Sequence, residues 1–268
     1  MLNTFRQIFG RNGAASHPAA CVPPGRRIYA VGDVHGRRDL FDALLGAIEE
    51  DDAASAPAET TIVLLGDLVD RGADSAGVIA RARELCGRRD TRILAGNHEE
   101  MFLDSFDNLD TFRHFLRHGG RETVLSYGVD RRRFADATMD EAQALMREAV
   151  PAEDIAFLAS FEDHLAIGGY LFVHAGIDPT VPLAEQRQKD LRWIREPFLS
   201  HTGPHEHVVV HGHTIVPAVE NRGNRIGIDT GAYSSGRLTA VRLEGETRRF
   251  IEAAEGKGSI AVRTLATA

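Results

Sequence analysis

From residue 26 onward the chain repeats one arrangement: a short apolar run, a glycine, a few polar residues, then apolar positions at helical spacing. "RIYAV" gives way to "GDVHG", and a helical pattern follows from about Arg38 to Glu50. "TIVLL" ends in "GDLVDRG" before "SAGVIARARELC", and "TRILA" ends in "GNHEE" before "MFLDSF". Strands alternating with helices predict an α/β core whose neighbouring strands run largely parallel. From about Leu109 to Glu162 the periodicity is helical with few β-branched runs, which predicts an inserted helical region. The strand pattern then returns. "HLAIGGYLFVHAG" reads as a hairpin turning at Gly168 and Gly169, and "HVVVHGHT", "NRIGIDTG", "RLTAVRLEG" and "TRRFIE" read as further strands. A second half this rich in strands fits an α/β sandwich of two sheets flanked by helices better than one doubly wound sheet. The expected organisation is a flexible leader over 1–25, one domain over 26–253 with the helical insert at about 109–162, and a tail over 254–268.

Composition narrows the picture. The leader "MLNTFRQIFGRNGAASHPAACVPPG" lacks the continuous apolar core of a signal peptide, and its first ten residues make only a weak amphipathic helix through Leu2, Phe5, Ile8 and Phe9. No run approaches the roughly 20 apolar residues of a membrane span. A formal net charge of −8 argues against broad binding to a nucleic-acid backbone. The run Arg131, Arg132, Arg133 reads as a solvated helix end or loop. Cys21 and Cys86 are the only cysteines; they make no disulfide framework, and a reducing, cytoplasmic setting is expected. Nothing in the pattern sets an oligomeric state.

The chemistry-bearing residues stand at strand ends, where α/β folds gather their ligands. Five ends carry the same few types: Asp33 and His35; Asp67 and Asp70; Asn97 and His98; His174; His211 and His213. Aspartate oxygen and imidazole nitrogen suit Zn, Mn and Fe. Taken singly, each has a plainer reading. Asp33 or Asp67 alone reads as a helix N-cap, and His174 after "LFV" as a core histidine. "GNHE" alone reads as a helix start, with Asn97 capping and Glu99 favoured by the dipole. Five unrelated caps would not repeat this selection after successive strands, so the set points to a metal site.

As an ordered set, "GDVHG" (32–36), "GDLVDRG" (66–72), "GNHE" (96–99), "HAG" (174–176) and "HGHT" (211–214) resemble the five signature blocks of the calcineurin-like metallophosphoesterases. More narrowly the chain is similar to the phosphoprotein phosphatase group, in its bacterial and bacteriophage-type Ser/Thr phosphatases. "FLRHGGRETVLSYGV", "LRWIREPFL" and "IDTGAYSSGRLTAV" add to the likeness, which covers roughly residues 26–245. The resemblance implies the two-sheet metallophosphoesterase sandwich and a site for two divalent ions. Asp33 and His35 would hold the first ion and Asp67 would bridge both. Asn97, His174 and His213 would hold the second. The family's ligand is the histidine after glycine in "GHT", which is His213. His211, two residues earlier and on the same strand face, would lie behind the ligands or in packing. Wider relatives with a "GHxH" block use a second histidine where this chain has Ile215. Mn²⁺ is the ion the family suggests, and the nitrogen and oxygen donors leave Fe and Zn open.

The implied reaction is in-line hydrolysis of a phosphomonoester by a two-metal-activated hydroxide, with no phosphoenzyme. Arg71 and Arg195 would clamp the phosphate beside Asn97, two guanidinium forks matching phosphate oxygens; the plainer role for Arg195 is a surface pair with Glu196. His98 would protonate the leaving alkoxide, oriented by Asp70, whose carboxylate would also favour the imidazolium. The expected activity is that of a Ser/Thr-type phosphoprotein phosphatase acting on phosphoproteins or phosphopeptides, with small phosphoesters also open. The alternative is a symmetrical bis(5'-nucleosyl)-tetraphosphatase or other nucleotide phosphohydrolase, whose second block typically reads "GDLVARG" and lacks the aspartate found here at Asp70. A non-catalytic binding module is a third class, disfavoured because every expected ligand and acid is present. Ala95 stands where eukaryotic members usually carry the arginine of "RGNHE", which bears on substrate contacts rather than on metal chemistry.

Overall fold

The computed structural model describes residues 20–265. Strands β1 (Arg26–Val31), β2 (Glu59–Leu64) and β3 (Thr91–Ile93) alternate with helices α1 (Arg38–Ala54) and α2 (Ser75–Arg88). β1 pairs parallel to β2, and β2 parallel to β3. Helix α3 (Asn97–Asp104) leads into the helical insert: α4 (Leu109–Phe115), α5 (Arg121–Ser126), α6 (Arg131–Asp136), α7 (Met139–Ala149) and α8 (Ala152–Ala159). Then come the antiparallel pair β4 (His164–Ile167) and β5 (Tyr170–Val173), α9 (Gln188–Trp193), and β6 (Val208–His211), parallel to β5. β7 (Glu220–Asn221), β8 (Arg225–Gly227), α10 (Ala232–Ser235), β9 (Arg237–Glu244), β10 (Thr247–Gly256) and β11 (Ser259–Leu265) complete the chain. Two mixed sheets result, ordered β11-β10-β9-β1-β2-β3 and β4-β5-β6-β8-β7.

The central strands become continuously apolar toward their carboxyl ends, from Ile28 to Val31 in β1 and from Ile62 to Leu64 in β2, because both faces are covered there. In β1, Ile28 and Ala30 pack between the sheets while Tyr29 and Val31 face α1 and α2; in β2, Val63 faces inward and Ile62 and Leu64 face the helices. Phe172, Val210, Ile226 and Val241 close the inter-sheet layer from the other strands. The insert has its own apolar cluster around Phe102, Phe112, Phe115, Val124 and Met146, shared with α2 through Ile79. It is therefore packed against the site-bearing half of the sandwich. Truncating any of these large buried side chains to alanine would cost about 2–5 kcal/mol.

Both ends of the domain differ from the sequence expectation. The stretch after residue 253 is a strand, not a tail: β10 runs on to Gly256 and β11 pairs with it from Ser259 to Leu265. Lys257 (φ 48°) and Gly258 (φ 84°) make the two-residue turn whose twist suits a hairpin. Most of β11 is exposed, so it carries little of the apolar signal by which strands are recognised. At the other end, Val22 is fully buried between the sheets and donates its N–H to Gly245 at 2.9 Å, and Cys21 O accepts from Gly169 N at 2.9 Å. Residues 20–25 thus belong to the fold. The weak amphipathic helix expected near the start lies outside the described residues. No helix among the described residues is long and apolar enough to cross a membrane.

Candidate active site

The loops that follow β1, β2, β3, β5 and β6 meet at one edge of the sandwich. Val34 and His35 both donate backbone N–H to Asp67 O, at 3.1 and 2.8 Å, and Gly212 N donates to His174 O at 2.8 Å. Six described residues other than glycine adopt positive φ, and five of them are here: His35 (46°), Asp67 (51°), Asp70 (74°), Arg71 (70°) and His213 (61°). Such backbone costs on the order of 1–3 kcal/mol per residue and persists where its surroundings over-determine it. Glu99 supplies part of that constraint: its carboxylate accepts from Asp67 N (2.8 Å), Leu68 N (2.7 Å) and Gly96 N (2.9 Å). Gly212 supplies another part, because a Cβ there would fall 2.0 Å from Asp33 Oδ1.

Asp67 is the centre of the arrangement. Its Oδ2 lies 3.5 Å from His35 Nε2 and its Oδ1 3.5 Å from His174 Nε2. Two buried donor groups share it, His35–Asp67–His98 and Asp67–His174–His213, with the donor atoms of each within 4.8 Å of one another. Asn97 Oδ1 faces His174 Nε2. Asp33 joins neither group; both of its oxygens accept the His213 N–H, at 3.2 and 3.0 Å. His98 occupies the place in the first group where sequence reasoning expects Asp33.

The ring orientations suit a divalent ion. His35 Nδ1 lies 2.8 Å from Val69 O, and His174 Nδ1 lies 2.8 Å from Leu65 O. A carbonyl only accepts, so Nδ1 carries the proton in each neutral ring and the Nε2 lone pair is turned inward. His213 Nε2 is buried and without a hydrogen-bond partner. Burial pushes His174 down to about 4 and holds His35 and His213 well below the ordinary imidazole range. Burial also raises Asp33 and Asp67 above the ordinary carboxylate range. Neutral imidazoles beside carboxyl groups short of positive charge are what a divalent cation would complete.

His98 Nδ1 lies 2.6 Å from Asp70 Oδ2. Sequence reasoning expects this carboxylate to favour the imidazolium, but burial, opposed mainly by the charge of Asp67, pushes His98 down to about 4. Arg71 lies across the mouth of the site: its guanidinium reaches His35 Nε2 at 2.7 Å and His98 Nε2 at 2.8 Å, and stacks 4.6 Å from the centre of the Tyr233 ring. Arg195 is exposed beyond α9 and near enough for its charge to help depress His174 and His213. Glu196 accepts from Ser200 rather than from Arg195. α9 is anchored to α3 by Arg192 and Trp193, which donate to Glu100 at 3.0 and 3.1 Å. His211 is fully buried, with Nδ1 3.1 Å from Gly212 O, Nε2 3.4 Å from Arg225 and its ring edge-on to Phe198; it belongs to neither donor group.

Sequence reasoning assigned no role to several residues found here. Asp229, from "IDTG", is 1% exposed, touches Asp33, and leaves Oδ2 without a partner. Its signal was an aspartate directly after an apolar strand, the position type already seen at Asp33 and Asp67. Tyr233 stands edge-on to His35 with 5.3 Å between ring centres. Thr123, from the insert, donates to Asp70 Oδ1 at 2.6 Å, and nothing local to it in the sequence marks that contact.

The chain is 28% identical over 225 residues to serine/threonine-protein phosphatase 1 of Salmonella typhimurium, covering 82% of this chain and 93% of the relative. It is 26% identical over 235 residues to the asymmetrical bis(5'-nucleosyl)-tetraphosphatase PrpE of Anoxybacillus flavithermus, covering 79% and 88%. A solved structure provisionally named a diadenosine tetraphosphatase superposes with a TM-score of 0.63 at 21% identity, over 88% of this chain and all of the other. Residues 26–238 match the family described as calcineurin-like phosphoesterase, which spans every loop that meets at Asp67, and the chain belongs to that family.

Proposed function

We propose that the chain is a metal-dependent phosphomonoesterase of the Ser/Thr protein phosphatase type. The observation that carries this reading is the His98–Asp70 pair at 2.6 Å, set beside the two donor groups that share Asp67. Asp33, His35 and Asp67 would hold one divalent ion, and Asp67, Asn97, His174 and His213 the other. When bound, the two ions would supply a nucleophilic hydroxide at neutral pH and positive charge against the phosphoryl oxygens. Mn²⁺ is the proposed ion.

The chain's own groups do the rest. Arg71 now donates to His35 and His98, and an incoming phosphate dianion would draw it off these neutral rings to make charge-assisted hydrogen bonds. Arg195 would approach from the α9 side as the second clamp. His98 is neutral in this setting; negative charge beside its Nε2 would favour the second proton, which it would then hand to the leaving alkoxide. Asp70 holds the Nδ1–H, so that Nε2 is the atom presented to the substrate.

Relatives named as phosphatases and as tetraphosphatases both match. Asp70 favours the phosphatase side, because an alkoxide leaving from a serine or threonine is strongly basic and needs an oriented acid. The test is kcat/KM of the Mn²⁺-loaded protein on a phosphoserine peptide and on diadenosine tetraphosphate. The peptide should be the better substrate; the reverse order would make the chain a nucleotide hydrolase.

A further inference from the structure

Asp70 and Arg71 form the corner of the loop after β2, both at positive φ. The helical insert, not the sandwich alone, holds that corner. Arg71 N donates to Gly119 O at 3.1 Å, where the chain kinks between α4 and α5. Gly119 has φ 106°, and a Cβ there would fall 2.7 Å from Arg71 N. One turn later, Thr123 in α5 reaches Asp70 twice. Its Oγ1 donates to Asp70 Oδ1 at 2.6 Å and accepts from Asp70 N at 2.9 Å. Ser75, at the start of α2, also accepts from Asp70 N, at 3.0 Å, and lies 2.9 Å from Thr123 Oγ1. Asp70, Ser75 and Thr123 are all fully buried.

With Asp70 ionised, its oxygens only accept, and that places the hydrogens. A threonine hydroxyl has one proton and two lone pairs. The proton goes to Asp70 Oδ1. The lone pairs receive Asp70 N–H and the Ser75 hydroxyl proton, so Ser75 is the donor in that pair. Every hydrogen-bonding position of Thr123 is filled, and both oxygens of Asp70 are engaged, Oδ1 by Thr123 and Oδ2 by His98. The torsion of the Asp70 carboxylate is thereby fixed from the side opposite His98.

We infer that Thr123 is a positioning residue of the insert, whose hydroxyl orients Asp70 so that His98 is held with Nδ1 toward the carboxylate and Nε2 toward the substrate. The inference deepens the proposed phosphomonoesterase reading and rests on it for its kinetic consequence, while its geometric content concerns the chain alone. It gives the insert a defined task in the chemistry beyond forming one wall of a cleft.

The test uses Thr123→Val, which keeps shape and β-branching but removes the hydroxyl, and Thr123→Ser, which restores it. Ser75→Ala, which removes only the hydroxyl donating to Thr123, is a gentler second variant in case the valine protein does not fold. The first measurement is the proton NMR spectrum of the metal-free protein. The His98 Nδ1–H, in so short a bond to a carboxylate, should give a far-downfield resonance, identified by its absence in His98→Asn. Thr123→Val should shift or lose it, Ser75→Ala should shift it less, and Thr123→Ser should keep it. The second measurement is the Mn²⁺-loaded rate on phosphoserine peptide against p-nitrophenyl phosphate. Thr123→Val should lose on the order of 10- to 100-fold in kcat on the peptide, distinctly less on the aryl ester, with KM little changed and the serine variant near wild type. An unmoved resonance, an equal loss on both esters, or serine and valine variants equally impaired would overturn the assignment. A wild type inactive on both esters would instead sink the phosphomonoesterase reading, and the resonance would still decide the role of Thr123.

Discussion

Asn97 Oδ1 and His174 Nε2 face each other at 3.1 Å, while the His174 ring proton is committed to Leu65 O on its other side. Two acceptors at that distance with no proton between them form a pocket for a cation. Divalent ions should therefore stabilise the fold markedly. At a free concentration of 100 times Kd, one bound ion would contribute about 2.7 kcal/mol, read as a rise in Tm on adding Mn²⁺. His174→Ala should abolish most of that rise; an undiminished rise would place the ion elsewhere.

The two histidines of "HGHT" should separate cleanly. His213 Nε2 is buried and unpartnered, whereas both ring nitrogens of His211 already have neighbours in the protein. His213→Ala should remove one of two bound ions and nearly all turnover. His211→Ala should keep both ions and lose stability instead, by about 1–3 kcal/mol from broken packing and an unpaired partner. Metal counting on the purified variants decides it, and equal metal loss in both would contradict the assignment.

Metal binding should release protons. Burial holds Asp33 and Asp67 above the ordinary carboxylate range in the metal-free chain, and a cation binds their anionic forms. Each acid is protonated below its raised pKa and must shed that proton on binding, so affinity should rise with pH until the raised values are passed. His174, already neutral above about 4, contributes no release near neutrality. Calorimetric Mn²⁺ titrations at pH about 6 and about 8, each in two buffers of different ionisation heat, measure both effects. Weaker binding at the higher pH, or proton release that does not grow as the pH is lowered, would count against a site built on these two acids.

His98→Asn should keep both ions and lose activity according to the leaving group. A phosphoserine releases a strongly basic alkoxide, whereas p-nitrophenolate departs without a proton. The loss should be roughly 10²–10⁴ on phosphoserine substrates and distinctly smaller on p-nitrophenyl phosphate. Asp70→Asn should show the same bias more mildly, because the ring remains but its orientation is relaxed. An equal loss on both esters with full metal content would assign His98 to phosphate binding instead.

Much of this protein is local and so was legible in its sequence. The apolar runs of β1, β2, β5 and β6 mark strands covered on both faces, and the glycine–aspartate and glycine–histidine turns after them mark where polar side chains leave the sheet. Because parallel strands place their carboxyl ends on one edge, Asp33, His35, Asp67, Asn97, His98, His174 and His213 could be read as one group from their order alone. The helical insert was legible from its 3.6-residue period. β11 was not, because a mostly exposed edge strand carries almost no apolar pattern.

The tertiary structure decided what depends on distance between segments and on burial. The contact of Thr123 with Asp70 joins residues 53 apart and follows from how the insert packs on α2 and α3. The closeness of Asp229 to Asp33 depends on β8 and β1 lying in different sheets whose ends converge. Sequence named the Asp70–His98 pair, but the state of His98 turned on desolvation, which outweighs the charge of Asp67 once the ring is enclosed. Residue type and spacing determine which groups can leave a strand end together. Only the packed chain determines how close they come and how much water is left around them, and those two quantities set hydrogen bonding, protonation and metal affinity.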